Sequence, residues 1–184
     1  HVDEEIRSCL DWKCPKSFFT YAGAGSGKTY SLVKTLNFIQ EQFGIELNIY
    51  SKQIAVITYT NAAVNVIAER LSKDSFILPS TIHSFAWNAI KQYQSFLINI
   101  VTNDPDFLPD EGDFLKITEV TYTLGHRYKE NGIQYLYHDD VLKLFCTLLD
   151  NAKFRRVFSD KYPLILIDEY QDSYSPIIER FIKY

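Results

Sequence analysis

Two apolar runs of different period meet across a glycine cluster, and this juncture constrains the fold more than any other feature of the chain. Residues 17–22 read Ser-Phe-Phe-Thr-Tyr-Ala, a short apolar run that ends at glycine as a buried strand does on entering a loop. Beyond the cluster, Leu32, Leu36, Ile39 and Phe43 recur at helical spacing, and Gly44 is expected to end that helix. Residues 54–58 are a second, β-branched run, and Ala63, Ile67 and Leu71 then line one face of a second helix. Strand and helix in alternation predict an α/β fold, a parallel sheet with helices on both faces.

A third strand is expected at about 76–82, leading into a helix over 84–96. The stretch 98–137 breaks the rhythm. It carries Asn103-Asp104-Pro105 and Leu108-Pro109-Asp110-Glu111-Gly112 punctuation, then alternating residues at 119–124 and 134–137 around Asn131-Gly132. An inserted loop and β-hairpin are expected there. Asp139 and Asp140 fit a helix first turn, and Leu142, Phe145 and Leu149 give that helix an apolar face. Residues 164–167, Leu-Ile-Leu-Ile, are apolar at every position, which places this strand in the middle of the sheet. There is no internal repeat or low-complexity tract.

The glycine cluster has the chemistry of a phosphate cradle. Ala22, Gly23, Ala24, Gly25, Ser26, Gly27, Lys28 and Thr29 follow a strand and open a helix, with Tyr30 directly behind them. Glycines let backbone N–H groups close around phosphates, and the helix presents its positive end to the anion. Lys28 would reach the β and γ phosphates of ATP, and the Thr29 hydroxyl would hold Mg2+. A glycine-rich turn that only joins strand to helix would not explain Lys-Thr at that offset. Asp168 and Glu169 follow the fourth strand, so they point into the crevice beyond the strands' carboxyl ends. Asp168 suits a magnesium partner, and Glu169 is positioned to take a proton from the attacking water.

With 184 residues, 46% hydrophobic and 23% charged, the chain fits one domain, or one domain with an insertion. No apolar run reaches the length of a membrane helix, and no signal peptide precedes the first motif. Cys9, Cys14 and Cys146 form no CxxC pair, so they are read as ordinary thiols suited to a cytoplasmic setting. The chain has no Met and stops inside an apolar, helix-like run, so a fragment of a longer protein is expected. A net charge of −4 and a pI near 5.6 give no global footprint of nucleic-acid binding. A local funnel with stacking would still serve a single strand.

Four segments in order carry a family resemblance: residues 22–29; Ile57-Thr58-Tyr59-Thr60-Asn61-Ala62-Ala63 within 57–71; Thr81-Ile82-His83-Ser84-Phe85; and Ile167-Asp168-Glu169-Tyr170-Gln171-Asp172. Together they resemble the amino-terminal half of UvrD/Rep-type superfamily 1 helicases, as do residues 138–142 ahead of the last strand. The resemblance implies a RecA-like first motor domain that hydrolyses ATP and moves on single-stranded DNA. It implies residues 1–97 and 161–184 as the motor domain and 98–160 as an inserted subdomain. It makes Gln171 a γ-phosphate sensor, and it lays Thr58, Thr60, Asn61, Thr81, His83, Ser84 and Phe85 along the DNA track. Hydroxyls and amides can hold phosphates and Phe85 can stack on a base. Equally, Thr60 or Asn61 can cap a helix, His83 can be a satisfied, partly buried histidine, and Phe85 can be core.

The chain departs from the family pattern at several points. No Gln precedes Gln40 to read adenine, Ala62 stands where motif Ia often has lysine, and the insertion is short. The second RecA-like domain, with its arginines, lies outside these residues. The reading from another class is an ATP-binding switch or sensor module that controls a nuclease or another repair or defence partner without unwinding. A P-loop kinase is disfavoured by the segments around His83 and Gln171.

Overall fold

The computed structural model describes residues 2–20, 27–71, 76–109, 111–112, 115–168 and 174–183. In chain order its elements are α1 (Val2–Cys9), α2 (Lys28–Ile49), β1 (Ile54–Thr58), α3 (Asn61–Arg70), β2 (Ile77–Thr81), α4 (Ile82–Ile90) and α5 (Gln94–Asn103). After a 3-10 turn at Pro105–Phe107 come β3 (Glu111–Gly112), β4 (Glu119–Tyr122), β5 (Tyr128–Glu130), β6 (Ile133–Leu136), α6 (Asp140–Asp150), α7 (Ala152–Lys161), β7 (Leu164–Ile167) and α8 (Ser175–Lys183). The chain forms two units, one of residues 1–82 with 156–173 and the other of 83–155 with 174–184.

The first unit holds a parallel sheet in the order β2-β1-β7, flanked by helices. All five residues of β1 are buried, as a central strand covered on both faces requires. Its core joins Ile54 and Val56 of β1, Ile77 and Leu164 of its neighbours, Leu36, Ile39 and Leu47 of α2, and Ile67 of α3. Trp12 Nε1 donates to Glu46 at 3.1 Å and Lys13 pairs with the same carboxylate at 2.5 Å, tying the segment after α1 to α2.

Three expectations for this unit are corrected. Residues 17–20 form no strand, and 21–22 lie outside the described residues. Phe18 and Phe19 are 38% and 51% exposed, and Lys16 N donates to Cys9 O, so this approach is held to the end of α1. A strand needs both faces of such a Phe-Phe pair covered, and here both rings stay largely accessible. The apolar strand β7 is an edge strand among the described residues, not a central one: β1 takes that place, and three of the four β7 residues are only half-buried. Helix α2 runs through Gly44 to Ile49 because Gly44 is a packing site. A Cβ there would meet the Phe76 ring at 3.4 Å.

The second unit packs α4, α5, α6 and α8 with a four-stranded sheet in the order β3-β5-β6-β4. The expected single helix over 84–96 is two, because the chain turns at Tyr93, whose carbonyl accepts from Phe96 N and Leu97 N to start α5. Gln94 then acts as a piece of strand. Its Nε2 donates to Val120 O at 3.0 Å and its Oε1 accepts from Val120 N at 2.9 Å, closing the edge of β4. The hairpin around Asn131-Gly132 joins β5 to β6, whereas β4 lies parallel to β6 instead of forming the hairpin's other arm. Asn131 (φ 53) and Gly132 (φ 76) are both left-handed, the requirement of a tight two-residue hairpin turn. The apolar face of α6 is as expected: Leu142, Phe145 and Leu149 are buried, and Phe145 meets Phe85, Phe154 and Phe181 edge-on.

Candidate functional site

Parallel pairing puts the carboxyl ends of β2, β1 and β7 at one rim of the first unit's sheet. Thr58 registers with Thr81 on one side, and Asp168 follows Ile167, the partner of Ile57, on the other. Asp168 is held at this rim by its own N–H, which donates to Ile57 O at 2.9 Å. It is half-buried, the placement a carboxylate needs to act on a ligand beyond the strand ends.

The same unit contains the start of α2. Its N-cap, Gly27, is left-handed at φ 81, ψ 25, a conformation that favours glycine. The N-cap Gly27 brings no capping side chain, and the first turn contains no acid but does contain Lys28 and Thr29, both half-buried. The helix's own first turn therefore sets no carboxylate against the N–H groups and dipole of this 22-residue helix, which suits an anion. Tyr30 follows, 69% exposed. Ala22, Gly23, Ala24, Gly25 and Ser26 of the loop lie outside the described residues, as do Glu169 and Gln171.

The expected DNA-track residues divide by burial. Thr58 is 2% exposed, and its hydroxyl donates to Thr60 O at 3.1 Å. Thr60 caps α3, its hydroxyl accepting from Ala63 N at 3.2 Å, the capping role left open by the sequence. Asn61 is exposed and Thr81 half-buried. In the second unit Ser84 is half-buried, and Phe85 is 3% exposed against Phe145, the core alternative. His83 stacks on His138 with ring centroids 3.6 Å apart. Its Nε2 lies 3.5 Å from Asp139 Oδ1, within ion-pair reach but without hydrogen-bond geometry. Burial foremost, and then His138, hold the His83 imidazole below its ordinary range against the pull of Asp139.

Several contacts gave no signal in the sequence. Asp140 is 1% exposed and gripped by Arg127 through Nε–Oδ2 at 2.6 Å and Nη2–Oδ1 at 2.7 Å, with Tyr137 N donating at 3.1 Å. A bidentate guanidinium matches a buried carboxylate, but thirteen positions of separation hide the pair from periodicity. Arg155 donates Nη1 to Leu149 O and Asp150 O and so caps the end of α6, while Arg156 is exposed. The three cysteines are free thiols, and burial pushes Cys146 up to about 11. Among the described residues no cluster of His, Cys, Asp and Glu is built to hold a metal, and no helix is long and apolar enough to cross a membrane.

Residues 13–184 match the AAA domain family, and the chain belongs to it as a UvrD/Rep-type superfamily 1 helicase ATP-binding domain. It is similar to Gabija protein GajB of Bacillus cereus, 43% identical over 79 residues, covering 43% of this chain and 12% of that protein. It is also similar to an ATP-dependent helicase/nuclease subunit of Anoxybacillus flavithermus, 32% identical over 168 residues, covering 79% of this chain and 13% of the relative. The chain therefore spans only about an eighth of the length of these relatives.

Proposed function

We propose that this chain is the first motor domain of a protein that hydrolyses ATP to move along single-stranded DNA. The observation that carries the reading is the glycine-led, acid-free first turn of α2 with Lys28 and Thr29 in it, in the unit whose sheet rim holds Asp168. Lys28 is assigned to the β and γ phosphates, Thr29 and Asp168 to Mg2+, and Ala22, Gly23, Ala24, Gly25, Ser26 and Gly27 to the backbone cradle, with Tyr30 beside it. When bound, the magnesium ion supplies charge neutralisation at the transferring phosphoryl group. Glu169 takes the proton of the attacking water, and Gln171 reads whether the γ-phosphate is there. Residues 1–97 and 161–184 then make up the motor domain and 98–160 its insertion. Asn61, Thr81, His83 and Ser84 are the candidates for direct DNA contact, with Thr58, Thr60 and Phe85 supporting them. Likeness to a protein named for both helicase and nuclease functions supports a nuclease domain or partner for the parent.

The test is calorimetric titration of the chain with Mg-ADP. Measurable heat is expected from the parent chain and its loss from Lys28→Ala, because the lysine ammonium is the one point charge assigned to the phosphates. Binding by Lys28→Ala equal to that of the parent sinks the assignment.

A further inference from the structure

The outward face of the second unit's small sheet carries chemistry that nucleotide and strand binding do not use. In its register Thr121 of β4, Tyr135 of β6 and Tyr128 of β5 stand side by side, and Glu119, Ile133 and Glu130 form the next rank. Side chains alternate along each strand, so the opposite face takes Val120, Gln134 and Leu136, all fully buried. The outward face is partly accessible: Glu119 and Glu130 are exposed, and Thr121, Ile133, Tyr128 and Tyr135 are half-buried.

The Tyr128 and Tyr135 rings are stacked, with centroids 4.3 Å apart and planes 8° from parallel. Each uses one face on the other; the small Thr121 stands beside Tyr135, while β3 and the His126 ring, 5.7 Å away, flank Tyr128. The charged residues of this face are acidic: Glu119 of β4 and Glu130 of β5, one on either side of Ile133. The Tyr128 phenol is held above its ordinary range, by burial first and then Tyr135 and Glu130, so it stays neutral.

We infer that this face docks a cationic polypeptide segment, rich in arginine and lysine, from a protein partner. Ring faces attract guanidinium and ammonium groups, and flanking carboxylates hold the same groups by ion pairing. The same carboxylates repel phosphates, so aromatic stacking here does not make a nucleic-acid platform. Exposed ion pairs are individually weak, so the contact is a modest one, with Kd of about 10–100 μM at low salt and weaker as salt rises.

Anisotropy of a fluorescein-labelled decapeptide of alternating arginine, lysine and glycine, titrated with the full 184-residue chain, tests this. Saturable binding is expected, weakened about tenfold by the exposed double change Glu119→Lys with Glu130→Lys and by Tyr135→Ser. A matched reversal on the first unit, Glu41→Lys with Glu69→Lys, alters net charge equally and is expected to leave binding unchanged. Equal loss in both double variants would reduce the effect to overall charge and overturn the inference. So would failure of the peptide to bind, or a labelled oligo-dT that binds and loses affinity in the Tyr135 variant. If Tyr135→Ser does not fold, the two charge reversals still decide.

Discussion

Asp140 shows how much can rest on one side chain. A carboxylate 1% exposed is tolerable because Arg127 and Tyr137 N satisfy it, with Lys143 Nζ at 3.8 Å, so removing the guanidinium leaves a buried charge without its bidentate partner. Arg127→Ala is expected to lower stability by about 3 kcal/mol, read as a shift in the urea midpoint. A loss below about 0.5 kcal/mol would show the pair to be dispensable. His83 sets a pH dependence. Its folded-state pKa lies below its ordinary 6.5, so the unfolded chain binds the proton more readily. Its stabilising share is therefore whole above the unfolded value and is lost as pH falls through 6.5 toward the depressed folded value. Urea midpoints from pH 7.5 to 5 should show that decline and a flatter profile in His83→Phe, which keeps a ring against His138. An identical slope in the variant would assign the proton elsewhere. At the proposed chemical centre, Glu169→Gln in the full-length parent is expected to keep nucleotide affinity and lose about 10²-fold or more in kcat. Unchanged turnover would move the base to another residue.

Among the elements, the β5–β6 turn makes the sharpest demand on sequence. Gly132 sits at φ 76, and a Cβ there would come within 3.0 Å of Lys116 O and 3.2 Å of the Thr118 hydroxyl. Gly132→Ala is expected to cost about 1–2 kcal/mol by thermal or urea unfolding, while Asn131→Gly stays near neutral. An alanine variant as stable as the parent would mean the hairpin relaxes its turn. This turn was legible in the sequence because Asn-Gly has one strong local meaning. So were β1, α3, β2 and β7, whose apolar periods survive in any tertiary context. What escaped was decided by neighbours far along the chain. Gly44 reads as a helix stop until the Phe76 ring is known to lie against it. β7 reads as central until β1 is seen to hold both partners, and β4 pairs parallel to β6 because its other edge is closed by the Gln94 amide. At the candidate site, residue types marked Lys28, Thr29 and Asp168, and the described geometry gives them a helix start and a sheet rim. The same types at Thr58 and Phe85 said nothing of the burial that removes both from solvent.

For the whole molecule, the expected behaviour of the 184-residue chain alone is poor ATP turnover and no unwinding. Charge on a transferring phosphoryl group is commonly met by an arginine from another domain, an effect of about 10³-fold to 10⁵-fold. Within this chain Arg155 is committed to the end of α6 and Arg127 to Asp140. Steady-state hydrolysis with and without single-stranded DNA, by the chain and by its full-length parent, checks this. Vigorous DNA-stimulated turnover by the chain alone would overturn the two-domain reading. The division of the chain has a further consequence for how it is made. The first unit takes residues 1–82 and 156–173, the second 83–155 and 174–184, so the polypeptide passes between them three times. During synthesis β1 and β2 leave the ribosome long before β7, and the first sheet stays one strand short until almost the whole second unit has emerged. The second unit in turn waits for α8. Neither can therefore be liberated intact by one proteolytic cut, and a ribosome that stalls near residue 155 leaves two unfinished halves in place of one finished unit.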